Sequence, residues 1–259
     1  MSNFMSRLRT LEAVHPPRVL IYGPPGMGKT TLASEFPNAL FVQVEDGTPS
    51  GLSLTGFQPK SYEDVIDAIG SLYSDDHAFG TIVIDTLDKL EPLIWDAACR
   101  ANNWVNIESP GYGKGYVATG YLWRDLLDGL NALRVDRGMN IVMIAHSDVE
   151  RFDDPRTASY TRYEVRMHKS RRKLIEDEVD AILLINHEAV VKEEDLGFNK
   201  KRSHAEGGGQ RFIYTEGRPA FNAKNRYGMP AKIVYRPGQG YAELAKYLPG
   251  QSQAAVKAA

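Results

Sequence analysis

Short apolar runs alternate along this chain with longer segments in which apolar residues recur at helical spacing. The short runs predict buried β-strands at 18–22, 39–44, 81–84, 140–145, 178–185, 210–214 and 232–235. The periodic segments predict helices from Lys29 to the residue before Pro37 and over 62–73, 88–101 and 121–137. Because strands and helices alternate, we predict an α/β fold with a mostly parallel central sheet and helices on both faces.

Three segments do not follow this alternation. Residues 107–116 are rich in glycine and polar side chains, 147–172 are polar and basic, and 192–209 are charged and end in three glycines. We interpret all three as loop excursions from one domain, the last of them flexible. The predicted organisation is an N-terminal segment 1–17, a domain 18–248 and a disordered tail 249–259.

Composition narrows the class of protein. With 259 residues, 42% of them hydrophobic and 25% charged, the chain can bury a core without covalent cross-links. Cys99 is the single cysteine, so no internal disulfide can form, and its helical surroundings indicate packing. No run approaches the roughly 18 apolar residues of a membrane helix, so we expect a cytoplasmic protein without a membrane partner. The formal net charge of -2 means that contact with nucleic acid needs a local basic patch.

One motif specifies a ligand. The stretch IYGPPGMGKTTLASEF follows a predicted strand, opens a helix and fits the phosphate-binding pattern G-x-x-x-x-G-K-[ST]. Its glycines let backbone N–H groups converge on phosphate oxygens, and the helix adds its positive end. Lys29 is expected to bind the β- and γ-phosphates of ATP, and Thr30 is expected to offer its hydroxyl to Mg²⁺. The predicted nucleotide-binding residues are Gly23, Pro24, Pro25, Gly26, Met27, Gly28, Lys29, Thr30 and Thr31.

Polar residues follow three further predicted strands. Asp85 ends the run TIVID and is predicted to hold Mg²⁺ together with Thr30. Glu45, after the second strand, is expected to be the catalytic base for attack by water, with Asp46 as its competitor. His146 follows NIVMIA and is expected to sense the γ-phosphate. Because ligands of parallel sheets bind beyond the carboxyl ends of the strands, these side chains are predicted to share one site.

Taken in order, GPPGMGKT, VEDG, TIVID and MIAH resemble the motifs of RecA-like core ATPases. A glutamate after the second strand is typical of RecA recombinases, whereas AAA+ ATPases carry their base directly after the third-strand aspartate, where this chain has Thr86. The segment AKNRYG, 223–228, is similar to the KNRFG motif of the bacterial RadA branch, with Tyr227 in place of phenylalanine. With VEDGT, GYGKGY and IAHS added, the chain looks like phage-encoded ATP-binding proteins of the Sak-type single-strand annealing group.

This resemblance implies a RecA-like P-loop NTPase core whose ATP hydrolysis is stimulated by single-stranded DNA and which promotes strand annealing or pairing. It implies a homo-oligomer, as a ring or a filament, in which Lys224 and Arg226 reach the γ-phosphate of a neighbouring subunit. It places DNA at 107–116 and 147–172, where cations meet phosphates and aromatic rings meet bases. The residues implicated are Tyr112, Lys114, Tyr116, Arg151, Arg156, Arg162, Arg166, Lys169, Arg171 and Arg172. A single-strand-binding protein is an expected partner, and the bacterial host cytoplasm is the expected location.

The residues leave two other functions open. A small-molecule kinase also uses a phosphate-binding loop, and 147–172 could serve as its arginine-bearing lid, although Glu45 and AKNRYG argue against it. The second alternative is a nucleotide-gated accessory module of replication or packaging. Intact Lys29, Asp85 and Glu45 favour a hydrolysing enzyme over that module.

Overall fold

The computed structural model describes residues 15–195 and 201–249, with side chains described outside 189–208. The strands are β1 (Arg18–Gly23), β2 (Ala39–Gln43), β3 (Thr55–Phe57), β4 (Thr81–Asp85), β5 (Asn140–Phe152), β6 (Tyr160–Val165), β7 (Ala181–Asp195), β8 (Lys201–Tyr214), β9 (Lys224–Asn225) and β10 (Lys232–Tyr235). The helices are α1 (Lys29–Ser34), α2 (Tyr62–Ser74), α3 (Leu87–Asn102), α4 (Lys114–Ala118), α5 (Gly120–Asp136), α6 (Lys169–Glu178) and α7 (Gly240–Ala245). None of these helices is long and apolar enough to cross a membrane.

β1 lies inside one sheet whose strand order is β10-β8-β7-β1-β5-β4-β2-β3. The strands from β7 to β3 in this order run parallel, and β8 and β10 add an antiparallel edge. β1 pairs with β5 on one side and β7 on the other, so Val19 lies between Val142 and Ala181. The mostly parallel α/β sheet expected from the sequence is therefore confirmed.

Two cores cover the opposite faces of this sheet. From β1, Leu20 and Tyr22 join the core that includes residues of α2, α3 and α5, whereas Val19 and Ile21 join the core that includes residues of α1 and α7. All four side chains are fully buried. A strand that is covered on both faces needs an apolar residue at every position, which explains why this run does not alternate with polar residues.

Local signals set where the helices around the sheet begin and end. The Ser61 hydroxyl accepts the backbone N–H of Asp64 at 3.1 Å, and the Asp64 carboxylate accepts the N–H of Ser61, so α2 begins with a reciprocal cap. α3 ends at Asn103, which adopts a left-handed backbone conformation with φ of 55°. Cys99 is buried in α3, in agreement with the packing role expected for it.

The segment 147–172 is not the loop that its polar composition indicated. β5 continues beyond the sheet to Phe152 and pairs antiparallel with β6, with Ser147 opposite Val165 and Phe152 opposite Tyr160. We call Ser147–Phe152 of β5 together with β6 the ribbon. The guanidinium of Arg162 lies 3.7 Å from the centroid of the Phe152 ring. Cross-strand pairs of this kind stabilise a partly solvated ribbon without an apolar run, so hydropathy alone missed it.

The other two predicted excursions also contain regular structure. β7 and β8 extend into 192–209 and pair antiparallel up to Asp195 opposite Lys201, with an irregularity between His187 and Ala189. Residues 196–200 of this predicted excursion lie outside the described residues, as do 1–14 and 250–259 of the predicted terminal segments. Residues 107–116 form turns that lead into α4.

Glu91 links α3 to the beginning of α6. Its side chain is buried, and its carboxylate oxygens accept the backbone N–H of His168 at 3.2 and 3.1 Å. Burial raises the pKa of Glu91 to about 7, while the hydrogen bond from His168 and the charge of Arg171 oppose this rise. The charged form of this carboxyl group is therefore disfavoured in the folded protein.

Replacement Glu91→Gln tests this assignment through the pH dependence of stability. Between the ordinary pKa of 4.5 and the folded value of about 7, the folded protein holds a proton that the unfolded chain releases, so stability falls as the pH rises. Glutamine keeps the acceptor for His168 and removes this titration. Between pH 5 and pH 8, we expect the free energy of unfolding of the variant to rise by roughly 2–3 kcal/mol relative to that of wild type, as measured by urea unfolding. Parallel stability curves for the two proteins would contradict the assignment.

Candidate functional site

The carboxyl ends of β1, β2, β4 and β5 border a cavity of about 340 Å³. Of the predicted phosphate-binding loop, the residues that line it are Pro25, Gly26, Gly28, Lys29, Thr30 and Thr31. Gly23, Pro24 and Met27 belong to the same loop but do not line the cavity. Glu45, Asp85, Thr86 and His146 line its other side, so the structure brings the predicted nucleotide, magnesium, base and sensor residues together.

The conformation of the loop requires glycine at two positions. Gly28, directly before α1, has φ of 93°, and this value lies in a left-handed backbone region that other residues rarely adopt. A Cβ atom at Gly23 would lie 2.3 Å from the carbonyl oxygen of Ile185, because the end of β1 approaches β7 closely. Lys29 is buried, and its ammonium group donates to the carbonyl oxygens of Gly23 at 2.9 Å and Pro24 at 3.0 Å. The loop thus holds the ammonium group of Lys29 at the cavity.

The candidate magnesium ligands lie next to this cation. The Thr30 hydroxyl donates to a carboxylate oxygen of Asp85 at 3.0 Å. Burial raises the pKa of Asp85 to about 6, opposed by the hydrogen bond from Thr30 and the charge of Lys29. Burial also lowers the pKa of Lys29. A hydroxyl and a carboxylate are the oxygen donors that Mg²⁺ prefers, so the residues present fit a magnesium–nucleotide complex.

Glu45 and His146 lie next to each other at the cavity. A carboxylate oxygen of Glu45 lies 3.8 Å from Nε2 of His146 and accepts the Thr86 hydroxyl at 3.4 Å. Asp46, the alternative base, is exposed and does not line the cavity. The geometry therefore favours Glu45 over Asp46, while its catalytic role remains a prediction.

Asp88 fixes the position of His146. Its carboxylate accepts the backbone N–H of His146 at 3.0 Å and lies 3.0 Å from Nδ1 of the same residue. Burial acts to raise the pKa of Asp88, but the hydrogen bonds from His146 outweigh it and hold the pKa below its usual value. Sequence analysis assigned Asp88 no role in the site; its place three residues after Asp85 was the available signal.

Arg211 also lines the cavity, and sequence analysis did not identify it. It lies on β8, and its Nη1 atom is 3.4 Å from the carbonyl oxygen of Met27. No local motif marks this arginine, because only the pairing of β8 with β7 and β10 brings it to the loop.

Lys224 and Arg226 lie away from the cavity of their own chain. β9 pairs with the first residues of β7, at the end opposite to the phosphate-binding loop. Lys224 donates to the carbonyl oxygen of Glu176 at 2.7 Å, and Arg226 pairs with Asp180 at 3.2 Å. A contact with the nucleotide of a neighbouring subunit thus stays a prediction.

The predicted DNA residues fall into distinct environments. Tyr112 and Lys114 are exposed before and at the start of α4, and Lys169 is exposed at the start of α6. The ring of Tyr116 stacks on His168, with centroids 4.5 Å apart, so α4 contacts the start of α6. Carboxylates of the same segment pair with several cations, namely Arg151, Arg156, Arg162 and Arg166.

Two arginines of α6 are less available to DNA than predicted. Arg172 is buried, and its guanidinium binds both carboxylate oxygens of Glu150, at 2.8 and 3.1 Å, and the carbonyl oxygen of Val165. Its predicted DNA contact is not supported, because it joins α6 to the ribbon. Arg171 is half-buried and packs against Gly120 at the start of α5.

The mostly parallel sheet, the phosphate-binding loop and the paired Thr30 and Asp85 define an α/β domain of the P-loop NTPase class. Residues 15–227 match the model of the AAA_24 family, described as an AAA domain, and the chain belongs to this family. This family description differs from our expectation that Thr86, which stands where AAA+ ATPases carry their base, separates the chain from that class. In the structure, the glutamate that lines the cavity is Glu45, which follows β2.

Other comparisons are more distant. The crystal structure of the RadB recombinase is similar to this chain with a TM-score of 0.48 and 16% identity, over 86% of this chain and 88% of that chain. A search of curated proteins finds no match.

Replacement Glu45→Gln tests the role of the carboxylate at the cavity. A general base contributes about 10²–10⁴-fold to a rate, so we expect kcat to fall at least about 100-fold. ATP affinity should stay within a few-fold of wild type, because Lys29 and the loop are intact. Phosphate release and binding of a fluorescent ATP analogue measure the two effects. Asp46→Asn is the matched control; a larger loss in that variant would identify Asp46 as the base.

Proposed function

We propose that this chain is a phage-type recombination ATPase that hydrolyses ATP, binds single-stranded DNA and promotes strand annealing or pairing. The observation that carries the proposal is the continuity of β5. This strand presents His146 at the cavity and continues into the ribbon without a break. A displacement of His146 by the γ-phosphate would therefore act directly on the ribbon.

The hydrolytic step assigns one role to each cavity residue. Glu45 accepts a proton from water as the water oxygen bonds to the γ-phosphorus and the bond to the ADP oxygen breaks. Lys29 stabilises the charge on the phosphate oxygens, and Thr30 and Asp85 are the residues that would hold the metal. Bound Mg²⁺ would supply further neutralisation of the phosphate charge. His146, held by Asp88, reports whether the γ-phosphate is present.

The DNA surface that we propose combines the two polar segments identified from the sequence. Stacking of Tyr116 on His168 places α4 beside the start of α6, so Lys114 and Lys169 belong to neighbouring elements. Tyr112 is fully exposed and can stack on an unpaired base. Exposed cations beside an exposed aromatic ring suit single strands, because phosphates and base faces are both accessible there.

Assembly completes the proposal. A ring or filament of identical subunits would let Lys224 and Arg226 approach a neighbour's γ-phosphate once their contacts with α6 and Asp180 rearrange. A single-strand-binding protein of the host cytoplasm would supply the coated DNA.

Single-stranded DNA should raise the rate of ATP hydrolysis, with free phosphate as the product. We expect Lys114→Ala/Lys169→Ala to weaken DNA binding about tenfold at moderate salt and to flatten its salt dependence, because two phosphate contacts are lost. Filter binding and phosphate release at two salt concentrations measure this, and annealing of complementary strands tests the pairing activity. Lys246→Ala, directly after α7, is the matched control.

Three results would contradict the proposal. A hydrolysis rate that no DNA changes would exclude a DNA-dependent ATPase. A phosphorylated small-molecule acceptor in place of free phosphate would identify a kinase. Equal DNA affinity of wild type and the double lysine variant would place the DNA elsewhere on the surface.

A further inference from the structure

Arg211 reaches the phosphate-binding loop from a strand that carries no recognised motif. In the antiparallel register it lies opposite His187 on β7 and opposite Tyr235 on β10. Its Nη1 atom lies 3.4 Å from the carbonyl oxygen of Met27 and would lie 3.3 Å from a Cβ atom at Gly28. The guanidinium is therefore in direct contact with the loop and lines the same cavity as Lys29.

The contact with Met27 uses little of what an arginine can donate. A guanidinium carries five N–H donors, and a hydrogen bond of 3.4 Å is long for an N–H donor and a carbonyl acceptor. Within the described part of the chain, this long contact is the one hydrogen bond that the Arg211 side chain donates, and a half-buried cation of this kind at the edge of a phosphate cavity is suited to an anionic oxygen.

The strand order shows which part of a nucleotide this cation would meet. β5, β4 and β2 lie on one side of β1 and supply His146, Asp85 and Glu45, which mark the metal and the γ-phosphate end. β7, β8 and β10 lie on the other side of β1 and supply Arg211. Arg211 thus approaches the loop from the flank opposite to the γ-phosphate end.

We propose that Arg211 binds the α- and β-phosphates of the nucleotide, the part that ATP and ADP share. This inference rests on the proposed nucleotide site and deepens it: Lys29 is assigned to the β- and γ-phosphates, and Arg211 holds the diphosphate from the opposite flank. After the γ-phosphate leaves, the product ADP would then keep its contact with Arg211 intact.

Tyr235 acts as a positioning residue for this contact. Its side chain is buried, and its hydroxyl donates to the carbonyl oxygen of Gly28 at 3.0 Å. Burial raises the pKa of Tyr235, so the hydroxyl stays protonated and remains a donor. Because Tyr235 lies opposite Arg211 in the register, one hydrogen bond fixes the distance between the loop and the arginine.

Direct binding measurements separate this role from a structural one. A purely structural hydrogen bond from β8 to Met27 needs only an N–H donor, and Arg211→Gln retains one. Binding of phosphates needs the positive charge, and Arg211→Lys retains it. We expect Arg211→Gln to lower the affinities for methylanthraniloyl-ATP and methylanthraniloyl-ADP alike, each by about 10- to 100-fold. Arg211→Lys should recover part of this loss, and kcat at saturating ATP should change only a few-fold in both variants.

Tyr235→Phe should lower the affinity for both nucleotides by a smaller factor than Arg211→Gln does. The affinity of the double variant should fall by less than the product of the two single factors, because both residues act on one contact. Arg236→Gln, at an exposed arginine directly after β10, is the matched control and should bind like wild type. Thermal unfolding of each variant checks that it folds; if Arg211→Gln does not fold, Arg211→Lys alone still tests the proposal by weakening both nucleotides.

The outcomes separate two failures. Wild type that binds neither nucleotide would overturn the proposed nucleotide site itself. Wild type that binds both, with unchanged affinities in Arg211→Gln and Arg211→Lys, would overturn only the role of Arg211. Unchanged ADP affinity with a large loss of ATP affinity or kcat would also overturn it, because the arginine would then serve the γ-phosphate.

Discussion

Burial of β1 between β5 and β7 is the constraint on which the rest of the structure depends. Its apolar side chains have no exposure to solvent, and each large side chain of this kind contributes about 1.5–3 kcal/mol by burial. Since the strand is locked in register with both neighbours, the loop that follows Gly23 begins at a fixed height in the sheet. Gly23 is level with His146, and Gln43 with Asp85, so the polar residues that follow these strands meet the loop at one edge.

Around this edge, the site is held by residues that do not line the cavity. Asp88 holds His146 by two contacts, and Glu91, one turn further along α3, holds the start of α6. One helix therefore positions both His146 at the cavity and the start of α6, which carries Lys169 of the proposed DNA surface. This arrangement connects the cavity and the proposed DNA surface through α3.

Sequence patterns identified the residues whose roles follow from local order. The glycine-rich loop between an apolar strand and a helix predicted the phosphate site, and Glu45, Asp85 and His146 were predicted to share it because each follows an apolar run; the structure places all of them at one cavity. The ribbon was missed because its strands are partly solvated and carry arginines and acids in place of an apolar run. Arg172 was misjudged for a related reason: a basic segment looks exposed in sequence, but Glu150 pairs with this arginine inside the fold.

The sequence by itself determined the class of fold and the ligand chemistry of the loop, because strand burial and phosphate binding depend on contiguous residues. Only the tertiary structure decided which distant residues complete the site. Arg211 and Tyr235 reach the loop through the pairing of β8 with β7 and β10, and Lys224 and Arg226 lie at the far end of β7 through the pairing of β9. Strand order is a property of the packed sheet, and residues far apart in the chain become neighbours only when that packing forms.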